Sequence, residues 1–230
     1  MKIFTIHSTQ HALFFKNFIN QNNFFTCAEQ IKSLLTESYP TKKFEVDFPR
    51  INLSNILFRV LSEEIVIQVS LDRCDLFWHN KNFTSAEVNY VHVLDKIREV
   101  LSKLFTFFET EQQIVRVGII GNYFLHEEDK SATDILGELL SDVVTKNSFN
   151  ITRLETRNTF HVNQFLTNDL KQIWDGMYPN EQGKKIPFVG LARDINIAPQ
   201  TTPLSIENYD SFLSETASMF TKESVLRWGK

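Results

Sequence analysis

The sequence predicts a single α+β domain over residues 1–230, in which antiparallel β-meanders pack against a long central helix and a C-terminal helix. Three observations support this fold class: a long apolar periodicity of three and four residues in mid-chain, short alternating runs on either side of it, and a composition that is 42% hydrophobic and 23% charged. A chain of 26.8 kDa buries about 70% of its extended surface on folding, so its core is sufficient without disulfides or metals.

The long central helix is predicted over residues 86–109, because apolar residues recur there along one helical face. Thr84 and Glu87 are predicted to form a capping box at its start, in which each side chain bonds the backbone N–H of the other residue. About 24 residues at 1.5 Å per residue make about 36 Å of helix, which is enough to cross a sheet.

Three shorter helices are predicted from the same kind of periodicity. They cover residues 26–38 with a Thr26–Glu29 capping box, residues 132–145 with Ser131 or Thr133 as the cap, and a terminal helix from Ile206 with Ser205 as its cap and a break near Thr221.

Strands are predicted where apolar and polar residues alternate or β-branched residues cluster. These segments are residues 44–48, 56–61, 65–77, 113–125, 149–165 and 186–197, and Phe4 and Ile6 suggest one more near the start. Strands followed by a helix occur twice along the chain. Two similar halves, 1–110 and 111–230, are therefore one interpretation, and a single α+β domain without duplication is the other.

Charge and cysteine usage favour a cytoplasmic protein that does not bind nucleic acid or membranes. Residues 61–142 carry seven Lys and Arg against fifteen Asp and Glu, whereas nucleic-acid binding usually needs a basic stripe. No segment approaches the roughly 20 apolar residues of a membrane span, and polar residues interrupt the apolar start of the chain. Cys27 and Cys74 are far apart and have no metal-ligand spacing, which is typical of a reducing compartment.

Several segments together resemble a known family. They are Glu37–Pro40, the strand Ile65–Ser70 with Asp72 and Arg73 behind it, the helix after Trp78, the run Val115–Ile120 with Asn122, and the closing helix through Trp228. With them the chain resembles a sporadically distributed family of uncharacterised bacterial proteins of about this length. The resemblance implies a single α+β unit and carries no activity. A sporadic distribution suits an accessory component of a bacterial defence or mobile-element system.

Arg116 is the best candidate for contact with a small anionic ligand. It lies in the segment shared with the family, and Asn122 and Tyr123 are grouped with it. An Arg that points inward from a central strand must be paired or face a ligand. Arg153 and Arg157 face the same cavity if the two halves pack together. The alternative is that Arg116 points outward from a half-exposed strand.

The terminal helix is the candidate protein interface. Its apolar residues extend beyond one face, and aromatic residues and Met are enriched at interfaces. The residues that form this predicted interface are Tyr209, Met219, Leu226 and Trp228. They predict a homodimer or a complex with another protein.

No catalytic residue, metal site or cofactor is predicted. The densest run of potential metal ligands, His126–Asp129, directly precedes a helix, where acidic side chains complement the helix dipole. Cys74 as a nucleophile needs a base such as His79 or His92, and a buried structural thiol is the alternative. The sequence therefore predicts a non-enzymatic binding or assembly module. A sensor or enzyme for a small anion at Arg116 and a nucleic-acid-binding accessory protein are the alternatives.

Overall fold

One antiparallel sheet of nine strands organises the computed structural model, which describes residues 2–49, 56–82, 87–140, 153–179 and 183–227. The strands are β1 Lys2–Phe15, β2 Glu45–Asp47, β3 Ile56–Leu61, β4 Ile65–Ser70, β5 Arg73–His79, β6 Ile114–Glu127, β7 Arg153–Val162, β8 Phe165–Pro179 and β9 Lys185–Ile197. Their order across the sheet is β2-β3-β4-β5-β1-β6-β9-β8-β7, which makes β1 the middle strand. The predicted α+β class with antiparallel strands is confirmed.

Five α-helices accompany the sheet in the described residues. They are α1 Phe24–Ser38, α2 Tyr90–Glu109, α3 Ala132–Leu139, α4 Ile206–Ala217 and α5 Lys222–Leu226. A 3₁₀ turn at Ser218–Phe220 joins α4 to α5, and Thr221 caps α5, so the predicted break near Thr221 is confirmed.

The strands bury most of their apolar residues on one face of the sheet. Residues that pair directly across neighbouring strands share a face, and the buried residues pair with one another, as in Val60 with Ile67 and Ile119 with Ile195. The buried apolar residues of all five helices belong to the same cluster. We call this side the helix face and the other side the open face, which no described helix covers.

The helix starts show where local sequence signals are reliable. Ser131 with Asp134 and Ser205 with Asn208 form capping boxes, which confirms Ser131 and Ser205 as caps. The predicted Thr26–Glu29 box is wrong, because α1 already begins at Phe24 and Thr26 lies inside it.

The start of α2 also differs from the prediction. It begins at Tyr90, where the side chain of Asn89 accepts a hydrogen bond of 2.9 Å from the N–H of His92. The predicted Thr84–Glu87 capping box is therefore wrong, because Glu87 lies outside the helix. The helix predicted over residues 132–145 ends at Leu139, with Leu140 as its C-cap. Thr84 itself and residues 141–145 lie outside the described residues.

Two strand predictions needed correction. The run 65–77 is two strands, β4 and β5, because the chain turns at residues 71–72. The run 149–165 crosses a turn in which Asn163 has a positive φ of 53°, and the fifteen-residue β8 then follows where no strand was predicted. Residues 149–152 are outside the described part of the chain.

Candidate functional site

The open face carries an aromatic cluster on β6, β9 and β8. The ring centroids of Phe124 and Phe188 are 5.0 Å apart and stacked, and Tyr178 meets Phe124 edge-on at 6.1 Å. Trp174 lies on the backbone of Gly190, where a Cβ atom would come within 2.2 Å of the indole. The glycine therefore allows a large ring to lie flat on the sheet.

A row of two arginines and one phenylalanine crosses the middle of the open face. Arg73 on β5 and Arg116 on β6 both pair with Phe14 on β1, from its two sides. The guanidinium carbon of Arg73 is 4.8 Å from the centre of the Phe14 ring, and that of Arg116 is 4.7 Å from it. Both arginines therefore make cation–π contacts with one ring, which holds their side chains against the sheet.

Arg73 is neutralised within the sheet. Its Nε and Nη2 donate to Oδ1 of the buried Asp75 at 2.8 and 2.6 Å, and Gln10 Nε2 donates to the same oxygen at 2.9 Å. Charge-assisted bonds of this kind are stronger than neutral ones. Oδ1 of Asp75 thus accepts hydrogen bonds from its own strand, β5, and from the neighbouring strand β1.

Arg116 has a neutral partner instead. Its Nη2 donates to Asn196 Oδ1 at 2.8 Å, and that oxygen also accepts from Asn168 Nδ2 at 3.2 Å. No carboxylate lies within 4.0 Å of the Arg116 nitrogens among the described residues, and its buried Nε has no hydrogen-bond partner there. Burial raises the pKa of the nearby Asp194, although the positive charge of Arg116 opposes that shift.

The cations of the open face are all arginine. The described strands place Arg59, Arg73, Arg116, Arg153 and Arg157 on this face and no lysine. The chain as a whole has more Lys than Arg. Arg and aromatic residues are enriched, and Lys depleted, at protein interfaces.

The structure does not bring the predicted anion-site residues together. Asn122 shares the open face with Arg116 but lies six residues further along β6, about 20 Å away at 3.3 Å per residue. Tyr123 points to the helix face, where its hydroxyl donates to the Phe220 carbonyl at 2.8 Å. Arg153 and Arg157 lie on β7, three strand spacings or about 14 Å from β6. The predicted site therefore reduces to Arg116.

The predicted interface residues of the terminal helix belong mainly to the core. Tyr209 is buried and stacks on Phe105 at 5.0 Å, so its ring is not accessible to a partner in this structure. Met219 and Leu226 are partly buried against the core, and Trp228 is outside the described residues. On the sheet beneath α5, the buried Arg193 forms an ion pair of 2.7 Å with Asp169 and donates to Ser224 at 2.6 Å and to the Met219 carbonyl.

The candidate nucleophile and metal ligands do not assemble. Cys74 is buried on the helix face, where burial raises its pKa, whereas His79 lies on the open face and His92 on the exposed side of α2. His126 and Glu127 point to opposite faces of β6, and Glu127 pairs with Lys130 at 2.9 Å. Among the residues that the structure describes, no three His, Cys, Asp or Glu lie close enough to hold a metal ion.

Sequence reasoning missed Gln10, Phe14, Arg73, Asp75 and Asn196 as parts of the open face. Alternation along β1 was the available signal, but without the strand order it does not reveal which residues meet. Comparison with family models and with curated proteins finds no match for this chain. The resemblance to the sporadic bacterial family stays a prediction. Within the described ranges, no helix is long and apolar enough to cross a membrane.

Proposed function

We propose that this protein is a non-enzymatic assembly module that associates with a second copy of itself through the open face. One observation carries the proposal: a face left uncovered by the described helices combines packed aromatic rings with cations that, on the described strands, are all arginine. This composition is that of an interface and not of a solvated surface.

The size of the open face supports a stable dimer. Nine strands span eight spacings of about 4.8 Å, or about 38 Å, and every strand except the three-residue β2 is at least about 20 Å long. A face of about 800 Å² results, which is the area that each partner contributes to a standard interface. Sheets that stack face to face separate by about 10 Å and interdigitate such side chains.

Charge balance favours a second copy as the occupant. The five arginines of the face are matched by the carboxylates of Glu45, Asp47, Asp75, Glu155 and Asp194. The face is therefore neutral, whereas the chain carries a net charge of -4. Two copies repel each other less through this face than through the acidic remainder of the surface.

Light scattering with a pair of matched variants tests the proposal. Leu166 on the open face and Val91 on α2 are 44% and 45% exposed, so Asp is tolerated by the fold at either position. At micromolar concentration we expect a mass twice the 26.8 kDa of the chain, retained by Val91→Asp and lost by Leu166→Asp. A wild-type mass of one chain at all concentrations up to about 100 μM, above the micromolar range of weak complexes, contradicts the proposal.

A second candidate function is a sensor for a small anion. It is favoured by the buried Nε of Arg116, which has no hydrogen-bond partner among the described residues. The guanidinium is held in place by Phe14 and Asn196 but lacks a carboxylate among the described residues. Inorganic phosphate is the probe. Phosphate should raise the melting temperature of the wild type and of Arg98→Met, a control on α2, but not of Arg116→Met. Equal shifts in all three proteins contradict this role.

We also infer that the domain spans residues 1–230 and contains two related halves with α2 as the central helix. Each half has a strand, a helix, a meander and a second helix. These are β1, α1, β2–β5 and α2 in the first half, and β6, α3, β7–β9 and α4 in the second. The strand order is also nearly symmetric about the β1–β6 pair. The two buried free cysteines fit a cytoplasmic setting. An experimental structure in which the two halves fail to superpose over these elements contradicts the duplication.

A further inference from the structure

We infer that two copies stack with their twofold axis along β1, so that Glu45 of each copy meets Arg157 of the other. The inference rests on the proposed self-association and adds its symmetry and its specific ion pair. β1 is the fifth of the nine strands in the sheet. An axis along the middle strand exchanges the two edges of the sheet, which places β2 of one copy over β7 of the other.

One unbroken row of paired residues crosses the whole open face. From β2 to β7 it contains Glu45, Leu61, Val66, Phe77, Gln10, Ile120, Asp194, Leu170 and Arg157. A carboxylate therefore ends the row at one edge and a guanidinium ends it at the other, about 38 Å away. Gln10 on β1 is the middle member.

A rotation of 180° about the axis along β1 places this row over the same row of the second copy, in reverse order about Gln10. The residues that then face each other are complementary. Glu45 meets Arg157, Leu61 meets Leu170, and Phe77 meets Ile120 of the second copy. Apolar residues thus meet apolar residues, and the two ends form opposite-charge pairs. Val66 meets Asp194, which is the one apolar–polar contact in the row, and burial raises the pKa of that carboxyl.

The other in-plane twofold axis is disfavoured by charge. An axis across the strands places each strand over the equivalent strand of the second copy. Glu45 and Asp47 of β2 then face the acidic β2 of the second copy, and Arg153 and Arg157 face its basic β7. Like charges at an interface cost several kcal/mol. Only the axis along β1 brings the acidic edge to the basic edge. It also places Arg73 opposite Arg116 of the second copy, and Arg73 enters that contact already paired with Asp75.

The charged ends are accessible in the single chain. Glu45 and Asp47 are exposed and form no ion pair among the described residues. The side chains of Arg153 and Arg157 are 63% and 79% exposed, and the bond of 2.8 Å from Arg157 Nε to Glu155 leaves its Nη donors available. A carboxylate from the second copy can therefore reach Arg157 without a rearrangement of the sheet.

Charge reversal at the two ends tests the axis. Glu45→Arg alone and Arg157→Glu alone should each raise the dissociation constant of the dimer at least tenfold, because each change creates two like-charge pairs per dimer. The double variant, with both changes in one chain, should restore the dissociation constant to within about threefold, which is about 0.6 kcal/mol. Glu29→Arg on α1 and Lys96→Glu on α2 make the same charge changes away from the open face. These two control variants should leave the dissociation constant of the dimer unchanged.

The outcomes separate the two proposals. A monomeric wild type overturns the proposed self-association. A dimeric wild type whose affinity is unchanged by the single reversals, or is not restored in the double variant, overturns the axis along β1 and leaves self-association standing. Mixing the two single variants provides a second measurement, since their heterodimer has an opposite-charge pair at both ends, one with the native charges and one with the charges reversed.

Discussion

The two faces of β1 differ in how their polar side chains are hydrogen-bonded. On the helix face, Thr9 and His11 are buried, and neither the Thr9 hydroxyl nor the two His11 ring nitrogens has a hydrogen-bond partner among the described residues. On the open face, Gln10 and its neighbours bond one another across strands although they are less buried. Around β1, the helix face therefore depends on apolar packing and tolerates polar atoms at a cost, whereas polar side chains on the open face bond one another across strands.

The largest expected effect tests the helix face. Leu101→Asp or Phe105→Asp should abolish folding, because an unpaired charge among the fully buried residues of α2 costs several kcal/mol against a total stability of about 5–15. Circular dichroism and thermal melting measure this. Leu166→Asp on the open face is the control and should fold. A cooperatively melting Leu101→Asp protein would show that this side of α2 is not a closed core.

The next effect compares buried and half-exposed ion pairs. Asp169→Ala leaves the Arg193 guanidinium buried and unpaired on the helix face, and we expect a loss of about 3–5 kcal/mol in the free energy of unfolding. Asp75→Ala frees Arg73, which is one-third exposed, and should cost clearly less. Urea unfolding of both variants measures the difference. Equal losses would remove the distinction between the two faces.

The pH dependence of stability should follow from His11. Burial lowers the pKa of His11 to about 3, whereas the unfolded chain has the ordinary value near 6.5. The unfolded state therefore binds the extra proton between these values, and stability should fall by about 1.4 kcal/mol per pH unit from pH 6.5 towards pH 3.

Urea unfolding at pH 6.5 and 4.5 measures the contribution of His11. The difference in stability should shrink by about 2–3 kcal/mol in His11→Leu. His92→Leu, on the exposed side of α2 away from the open face, should keep the wild-type difference. A wild-type pH dependence in His11→Leu would contradict the burial of a neutral imidazole.

The smallest effect concerns two tyrosines on the helix face. The Tyr90 hydroxyl is buried without a partner, so Tyr90→Phe should leave stability within about 1 kcal/mol of the wild type or raise it. Tyr123→Phe removes the bond to the Phe220 carbonyl and should lower stability by about 1 kcal/mol. Thermal melting of the pair measures the difference, and a larger loss in Tyr90→Phe would show that its hydroxyl is satisfied.

Local signals predicted local structure. The caps at Ser131 and Ser205 and the strand Ile56–Leu61 depend on neighbours within a few residues, and all three are confirmed. The candidate site failed because adjacent strand residues point to opposite faces: Asn122 and Tyr123 were grouped, yet one lies on the open face and the other on the helix face. The meeting of Phe14 with Arg73 and Arg116 depends on strand order, which propensity does not contain.

The central position of β1 also sets the order in which the sheet can assemble during synthesis. β1 is made first, but one of its edges has no partner until β5 has been made and the other none until β6 is complete. At about 5–20 residues per second, the chain between His79 and Glu127 takes about 2–10 s to emerge. For that time a fourteen-residue strand has an open edge, and strand exchange between neighbouring nascent chains becomes a competing route to dimers.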